Sequence, residues 1–296
     1  MNALRKFAKV AGAFLLVGAV AVAAYLLFLR PWDRTWGSTG AERVAFMPGD
    51  ALVSDPTSVT TRAVSIKDTP EEIWPWLVQM GYRRGGLYSY DWIDRFLGVL
   101  DRPSALSILP EFQDLQAGET IPIGGSPGWP VSSLDPGRFM VFHIQQAPVH
   151  ISWCFLLKPL NARASRLVLR IRGRIQVQPV LRPFFALIDV GEFPMVRKML
   201  TGIRDRVEGT PQLPKEELIE LGLWAAAIII GLMAVILAFF RRQWLRYFIL
   251  AWLSMASVFF LAFRQPELWQ GAAVVAVLAI WLIMAFGRKK RRARII

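Results

Sequence analysis

The side chains best suited to acid–base chemistry in this chain are those of tyrosine, aspartate and histidine. The stretch 82–94 concentrates ionisable and phenolic groups, namely Tyr82, Arg83, Arg84, Tyr88, Tyr90, Asp91 and Asp94. Two histidines and Glu192 lie further along the chain. A Tyr or His beside an Asp can transfer a proton to or from an enolisable substrate. On this reasoning, Tyr90, Asp91 and His143 are the candidate catalytic residues.

A structural role is the alternative for the same stretch. Its two adjacent arginines would form ion pairs with Asp91 or Asp94 and so brace a turn. Tyr88 and Tyr90 would then pack at the rim of that turn. The sequence leaves bracing, ligand contact and catalysis open for these residues.

Several other kinds of site are not indicated. His143 and His150 are not at a metal-ligand spacing, and HxxxH and HExxH motifs do not occur, so no metal site is expected. No GxGxxG or GK[ST] loop points to a nucleotide, no GxSxG motif points to a nucleophilic serine, and no cofactor is expected. Cys154 is the only cysteine, which excludes an intrachain disulfide and a CxxC pair and predicts core packing.

Two short helices are predicted to position the acid–base cluster. Thr69, followed by Pro70 and Glu72, has the pattern of a helix start, with the Thr hydroxyl as the cap. The apolar residues that follow recur at helical spacing and predict one buried face, up to a stop at Gly81. A second helix is predicted over residues 88–96.

Short strands and a long amphipathic helix are predicted around these two helices. Alternating apolar and polar residues, bounded by turn signals, predict strands over residues 57–66, 120–123, 131–134, 138–145, 150–158 and 166–177. A short helix is predicted over residues 184–190. An apolar stripe from Phe193 to Val207 predicts the long helix, which Gly209 would end.

Four arginines share one face of the strand at 166–177, namely Arg166, Arg170, Arg172 and Arg174. Such a row predicts a solvent-facing side of a sheet. The alternative is a cationic wall that faces anionic headgroups or a partner.

The order of these elements, and two sequence runs in particular, resemble a known superfamily. The runs EEIWPWLVQMGYRRGGLYSYDWID and LPEFQDLQAGETIPIG are similar to bacterial members of the SRPBCC (START-like, polyketide cyclase/dehydrase-like) superfamily over residues 56–209. The resemblance implies an α+β helix-grip domain, in which a curved antiparallel sheet surrounds a long C-terminal helix and an apolar cavity. It implies no single activity, because relatives include lipid carriers, cyclases and proteins of unknown role. The residues implied to line the cavity are Trp74, Trp76, Tyr88, Tyr90, Trp92, Trp153, Met199 and Ile203.

Four apolar segments predict a membrane protein. Hydrophobic residues make up 54% of the 296-residue chain, and the segments 10–29, 221–240, 247–263 and 270–286 are long enough to be considered as transmembrane helices. A cleaved signal peptide is the alternative for the first segment, but its apolar run continues past the Ala-Val-Ala at 21–23, which favours an uncleaved anchor. Residues 30–55 are predicted to be a tether with little regular structure, and residues 210–220 a linker.

The net charge of +13 is concentrated at the ends of these segments. Its clusters are Arg5, Lys6 and Lys9; Arg241, Arg242 and Arg246; and Arg288, Lys289, Lys290, Arg291, Arg292 and Arg294. Residues 30–218 carry 22 basic and 20 acidic residues, and this near neutrality argues against a nucleic-acid partner. The positive-inside rule predicts that residues 1–9 and 287–296 are cytoplasmic and that residues 56–209 lie outside the cytoplasm of a bacterial inner membrane.

Three functions remain open at this point. The leading prediction is a membrane-tethered START-like domain that binds a lipid or another hydrophobic small molecule as a carrier, sensor or chaperone. One alternative is a cyclase- or dehydratase-type enzyme that acts on a hydrophobic substrate. The other is an accessory structural subunit that docks onto a membrane-protein partner through the C-terminal helices.

Overall fold

The computed structural model describes residues 3–287 except 126, 176, 177, 179 and 181, and only the backbone of residues 182–189. The chain forms two compact units, Leu29–Leu213 and the remainder on either side of it. The helices, in chain order, are α1 Ala3–Ala24, α2 Arg30–Asp33, α3 Gly40–Val44, α4 Pro70–Val78, α5 Asp91–Phe96, α6 Arg182–Val207, α7 Pro214–Phe240, α8 Trp244–Arg264 and α9 Leu268–Gly287. Of the basic tail predicted at 287–296, Gly287 is described, and residues 288–296 lie outside the described residues.

The central unit is built on a curved antiparallel sheet of six strands. The strands are β1 Ser58–Ile66, β2 Thr120–Ile121, β3 Trp129–Asp135, β4 Phe139–Gln146, β5 Val149–Asn161 and β6 Ala164–Ile175. Their order in the sheet is β1-β6-β5-β4-β3-β2. Strands β2 to β6 therefore follow one another as neighbours, and β1 joins at the edge beside β6.

The inner face of the sheet carries the core of this unit. Phe142, Phe155 and Leu169 project from three neighbouring strands into one cluster with apolar residues of α4 and α6. Helix α6 supplies Val196, Met199, Leu200 and Ile203 to this cluster at helical spacing, as its apolar stripe predicts. The short helix predicted at 184–190 and the long one after it form a single 26-residue helix that contains Pro194. A long helix laid on a curved antiparallel sheet is the α+β arrangement expected from the sequence.

The helices around the acid–base cluster are shorter than predicted. Thr69 is the N-cap of α4, but its side chain makes no capping hydrogen bond, so the predicted hydroxyl cap is wrong. The helix ends at Val78, before Gly81. Tyr88 and Tyr90 precede α5, and Tyr88 has a φ of 58°, which breaks the helical path ahead of Asp91.

Residues 37–55, here called the strap, lie across the outer face of the sheet. The strap contains α3, whose N-cap Thr39 forms a capping box with Glu42, and a 3₁₀ turn at Asp50–Leu52. Met47 of the strap is buried in a cluster with residues of the outer face, including Val141 and Cys154. The prediction of a tether with little regular structure is therefore wrong for this segment.

Four helices are long and apolar enough to cross a membrane: Ala3–Asp33, Pro214–Phe240, Trp244–Arg264 and Leu268–Phe286. The second unit contains the last three and the first one up to Phe28. The first passes through a π-helical turn at Tyr25–Leu29 into α2. Helix α7 begins at Pro214, so the linker predicted at 210–220 is shorter than expected. Proline at the first helical turn costs no backbone hydrogen bond, which explains the early start.

Small residues bring α7 and α8 close together. Ala227 and Ala234 of α7 are buried against Leu250 and Ala251 of α8. A Cβ at Gly231 would lie 3.0 Å from the Cβ of Ser254, so glycine lets the two helices approach this closely without displacing Ser254. Contacts of this kind are the usual way in which apolar helices associate without a hydrophobic driving force.

The basic residues at the start of α1 lie at the same end of the helical unit as the basic connection between α7 and α8. Val10, Ala238 and Tyr247 form one buried cluster, which places the start of α1 beside the end of α7 and the start of α8. Lys6 Nζ donates a 2.7 Å hydrogen bond to the carbonyl oxygen of Phe239 at the end of α7. Tyr247 Oη donates a weaker bond, 3.4 Å long, to Ala285 near the end of α9.

Candidate functional site

The inner face of the sheet is fully buried at one end and half-buried at the other. At the first end Ile66, Leu157 and Leu167 have almost no solvent-exposed surface. At the other end Trp129, Trp153 and Ile171 pack against the same core while remaining partly exposed. The half-buried end is therefore the part of the inner face that a ligand could reach.

Two tryptophans form the centre of this half-buried end. The ring centroids of Trp129 and Trp153 are 4.4 Å apart, and both rings contact Phe142. The indole Nε1 of Trp153 is buried, and it has no hydrogen-bond acceptor among the residues that the structure describes. A buried N–H without an acceptor costs about 1–3 kcal/mol, so this donor is available to a ligand oxygen.

The other residues implied to line a cavity are placed differently. Trp76, Tyr88, Met199 and Ile203 are buried in the core between α4, α6 and the sheet. Trp74 is half-buried against that core, and Trp92 is half-buried on α5. Of the predicted lining residues, Trp153 is the one that combines the inner face with partial exposure; the sequence did not single out Trp129.

Tyr88 is held as a neutral structural residue. Its hydroxyl accepts a 3.0 Å hydrogen bond from Gln79 Nε2, and the guanidinium of Arg206 lies 4.6 Å from its ring centroid. Burial raises the pKa of Tyr88, against the smaller opposing effects of Gln79 and Arg206. Gly202 of α6 lies directly against it, since a Cβ there would come within 2.1 Å of the Tyr88 carbonyl oxygen.

Asp91 braces the loop that follows α5. Its carboxylate accepts hydrogen bonds from the backbone N–H of Ser104 at 2.6 Å and from the Ser104 hydroxyl at 2.5 Å. Asp91 binds Ser104, which is not the predicted pairing with the adjacent arginines. Arg84 donates instead to the carbonyl oxygens of Val78 and Met80. Asp91 and Arg84 thus have the structural role that was one of the alternatives, but their hydrogen-bond partners differ from those predicted.

The three candidate catalytic residues do not converge. Tyr90 is buried beside α6, where Lys198 Nζ lies 5.0 Å from its ring centroid. His143 follows the inward-facing Phe142 on β4 and therefore projects from the opposite, outer face of the sheet. The sheet separates His143 from Tyr90 and Asp91, so these groups cannot act on one substrate together.

His143 and His150 form a pair that their spacing did not reveal. The hairpin of β4 and β5 brings their Nε2 atoms to 3.0 Å, so that one ring donates a hydrogen bond to the other. Burial lowers the pKa of His143, and the neighbouring His150 lowers it further. Among the described residues, no group of three or more metal-ligating side chains occurs.

A buried ion pair on the inner face was also missed from the sequence. Arg62 of β1 is 1% exposed and donates to both carboxylate oxygens of Glu192, at 2.7 and 2.9 Å. Its Nε donates to the Asp33 carbonyl oxygen at 2.8 Å, and its guanidinium lies 5.3 Å from the ring of Phe193. The sequence signal was an arginine at an inward position of an alternating strand.

The arginine row of β6 is neutralised by the strap. Arg166 pairs with Glu42 at 2.8 Å, Arg170 with Asp50 at 2.7 Å, and Arg174 with Asp55. Arg172 donates to the carbonyl oxygen of Val53. The row is therefore not the solvent-facing side of a sheet, and that prediction is wrong; three of its four arginines pair with carboxylates of the strap.

The contacts of Glu42 with Arg166 and Thr39 lower the pKa of its carboxyl group. Burial disfavours its ionised form, but the hydrogen bond and charge of Arg166 and the bonds from Thr39 outweigh that effect, so the pKa of Glu42 lies below its usual value. The carboxylate therefore stays ionised at neutral pH and holds the strap to β6.

Comparisons with known proteins bear on the fold of this unit. Neither a family model nor a curated protein matches the chain. Similar solved structures include the polyketide cyclase-like protein Cgl2372 from Corynebacterium glutamicum, which is 14% identical, with 54% of this chain and 93% of that chain covered and a TM-score of 0.28. CalU16 from Micromonospora echinospora is 11% identical, with 53% and 78% covered and a TM-score of 0.32.

The Aha1 dimer from Colwellia psychrerythraea is a third similar structure, 16% identical, with 51% of this chain and 97% of that chain covered and a TM-score of 0.32. At such identities and TM-scores, the similarity gives no information on ligand, reaction or partner.

Proposed function

We propose that this protein is a multi-pass protein of a bacterial inner membrane whose sheet unit binds a lipid or another hydrophobic small molecule, as a carrier, sensor or chaperone. The observation that carries the proposal is the half-buried pair Trp129 and Trp153 on the inner face, with a buried indole N–H that has no acceptor among the described residues. Tryptophan suits a ligand with an apolar body and one oxygen acceptor. A fatty acyl ester or a sterol has that chemistry.

The proposed location rests on the distribution of charge in the helical unit. The basic residues before Val10 lie at the same end as the basic connection at 241–246. Within the helical unit, the last turn of α1 lies beside the end of α8, where Tyr25 contacts Phe263. With the basic end in the cytoplasm, the sheet unit would be extracytoplasmic, as the positive-inside rule predicts.

Purification in mild detergent followed by mass spectrometry of extracted lipid tests this function. We expect one class of apolar molecule to co-purify with the full chain in near-stoichiometric amount. Trp153→Phe removes the indole donor but keeps an aromatic ring and should lower the retained amount several-fold. Trp269→Phe, at an exposed site on α9 outside the sheet unit, is the control and should retain it. Equal retention by both variants, or no retained molecule in the parent, would overturn the proposal.

A second candidate function is favoured by one observation. Much of the interior expected to hold a ligand is filled by core side chains, including Met199 and Ile203. A filled interior suits an accessory subunit that docks onto a membrane-protein partner through α7 to α9. A stoichiometric partner in a pull-down, together with no bound lipid, would support this function instead.

The cyclase or dehydratase alternative has the least support from the geometry. Tyr90 and Asp91 lie on the inner side of the sheet unit and His143 on the outer side. Asp91 is already engaged by two hydrogen bonds from Ser104.

A further inference from the structure

A second pocket lies on the outer face of the sheet, away from Trp129 and Trp153. It has a volume of about 330 Å³. The strap, the edge strand β1 and its neighbour β6 form its walls. The residues that line it are Arg43, Val44, Ala45, Phe46, Asp50, Ala51, Ser54, Val59, Arg170 and Arg172.

The lining of this pocket is cationic. Three arginines face one carboxylate, that of Asp50, which leaves a net charge of +2 by difference. Arg170 is 3% exposed, and its guanidinium is fully engaged by Thr61, Asp50 and carbonyl oxygens of the strap. Arg170 therefore holds the pocket in shape and contributes charge, but no free donor.

The free donors belong to Arg172 and Arg43. Arg172 uses Nε and Nη2 on the carbonyl oxygen of Val53, and its Nη1 has no acceptor among the described residues. Arg43 uses Nε on the carbonyl oxygen of Thr39, and both of its terminal nitrogens are free within the same part of the chain. Guanidinium groups commonly bind phosphate through two parallel N–H···O hydrogen bonds.

The rim of the pocket is apolar and exposed. Val44 is 86% exposed and Phe46 78% exposed, next to Arg43 in the chain. Val59 of β1 lines the pocket from the other side and is also exposed. A free phosphate ion would leave this apolar rim in water, whereas the acyl chain of a lipid would cover it.

We propose that this pocket binds the phosphate group of an anionic phospholipid, with Arg43 and Arg172 on the phosphate oxygens and Val44 and Phe46 against the first carbons of the acyl chain. This site is independent of the ligand proposed for the inner face, because the sheet lies between them. Asp50 opposes the anion, but it pairs with Arg170 at 2.7 Å and lies 3.9 Å from Arg172 Nε, and the three arginines of the lining leave two positive charges in excess.

Titration calorimetry on the full chain in a neutral detergent tests the proposal. The probes are dihexanoyl phosphatidylglycerol, dihexanoyl phosphatidylcholine and inorganic phosphate. We expect phosphatidylglycerol to bind most tightly. Arg43→Gln and Arg172→Gln should each weaken it about tenfold, the usual scale for one charged hydrogen bond. Arg102→Gln, which removes an exposed arginine that pairs with Asp101 outside the pocket, should not change it.

Further variants separate the sources of the anion and the two sites. Phe46→Ser should weaken phosphatidylglycerol but leave phosphate unchanged. Phosphate binding as tightly as phosphatidylglycerol would overturn the assignment to a lipid. Unchanged phosphatidylglycerol affinity in both Arg43→Gln and Arg172→Gln, with unaltered thermal unfolding, would overturn the site itself. Trp153→Phe should leave this binding intact whether or not the inner-face proposal holds.

Discussion

Arg62 and Glu192 show how a buried charge shapes the inner face. Arg62 is almost completely buried, whereas the carboxylate of Glu192 is 32% exposed. Removing the carboxylate of such a pair leaves a buried guanidinium charge without its ion-pair partner. This loss lowers the stability of the fold far more than the loss of a surface pair does. The pair joins β1 to α6, so its loss should loosen the long helix from the sheet.

We therefore expect Glu192→Ala to destabilise the sheet unit by about 3 kcal/mol. The matched control is Asp135→Ala, which breaks the exposed pair with Arg138 and should cost less than about 1 kcal/mol. Urea unfolding followed by tryptophan fluorescence measures both. Similar losses in the two variants would show that the inner pair has no special role.

The paired histidines predict a pH dependence with a defined sign. The pKa of His143 is lowered in the folded chain by burial and by His150, so the unfolded chain takes up a proton first as the pH falls. Stability should therefore decrease below the unfolded pKa of about 6.5 and level off below the folded pKa.

The variant His143→Asn should lose this part of the pH dependence. Melting temperatures of the parent and the variant, compared at steps between pH 7.5 and pH 5, give the measurement. The difference between them should change in favour of the variant as the pH falls. A constant difference across that range would contradict a lowered pKa for His143.

At the scale of elements, the strap is the segment whose structure could not be predicted from its amino-acid composition. Its glycines, Pro48 and its polar residues predict an irregular segment, and its partners lie more than a hundred residues away on β6. The Thr39-x-x-Glu42 capping box was visible in the sequence and marks α3. The ion pairs of the strap were not visible, because a one-dimensional pattern does not tell which face of β6 is covered.

Cys154 provides a reporter for the strap. Its thiol is buried beneath the strap with Met47, and burial and the nearby Asp50 raise its pKa to about 12, against the opposing charge of Arg170. Alkylation at neutral pH thus requires the strap to open. We expect Asp50→Asn, which removes the charge facing buried Arg170, to speed maleimide labelling of Cys154 about tenfold or more.

The control for this prediction is Asp55→Asn. Asp55 is 64% exposed and pairs with the half-exposed Arg174, so its loss should change labelling little. The measurement is the rate of maleimide labelling of Cys154 at pH 7.5 in the parent and both variants, followed by intact-mass analysis. Fast labelling in the parent chain would mean that the strap does not shield the thiol.

The other elements could be predicted from the sequence to different degrees. Alternation in β5 and β6 predicted both faces of the sheet, and the stripe in α6 predicted its buried side. Trp153 was identified as a ligand candidate, whereas Trp129 was missed because β3 is short and follows a glycine-rich turn. Met199 and Ile203 proved to be core residues, since periodicity cannot separate a cavity wall from a packed interior.

At the scale of the whole molecule, topology is the main open prediction. The proposed arrangement places residues 56–209 outside the cytoplasm and the C-terminus inside. Alkaline phosphatase fused after Gly209 should be active, and green fluorescent protein fused after Ile296 should fluoresce. The reverse pattern would place the sheet unit in the cytoplasm and remove the proposed extracytoplasmic role.

The central claim is that the half-buried end of the inner face holds an apolar molecule in the cell. A photoreactive phenylalanine analogue at Ile171, on that face, and another at Lys158, an exposed position on the outer side of β5, test it directly. After irradiation of intact cells, intact-mass analysis should show a lipid-sized adduct at position 171 and none at position 158. Equal adducts at both positions, or none at 171, would contradict the claim.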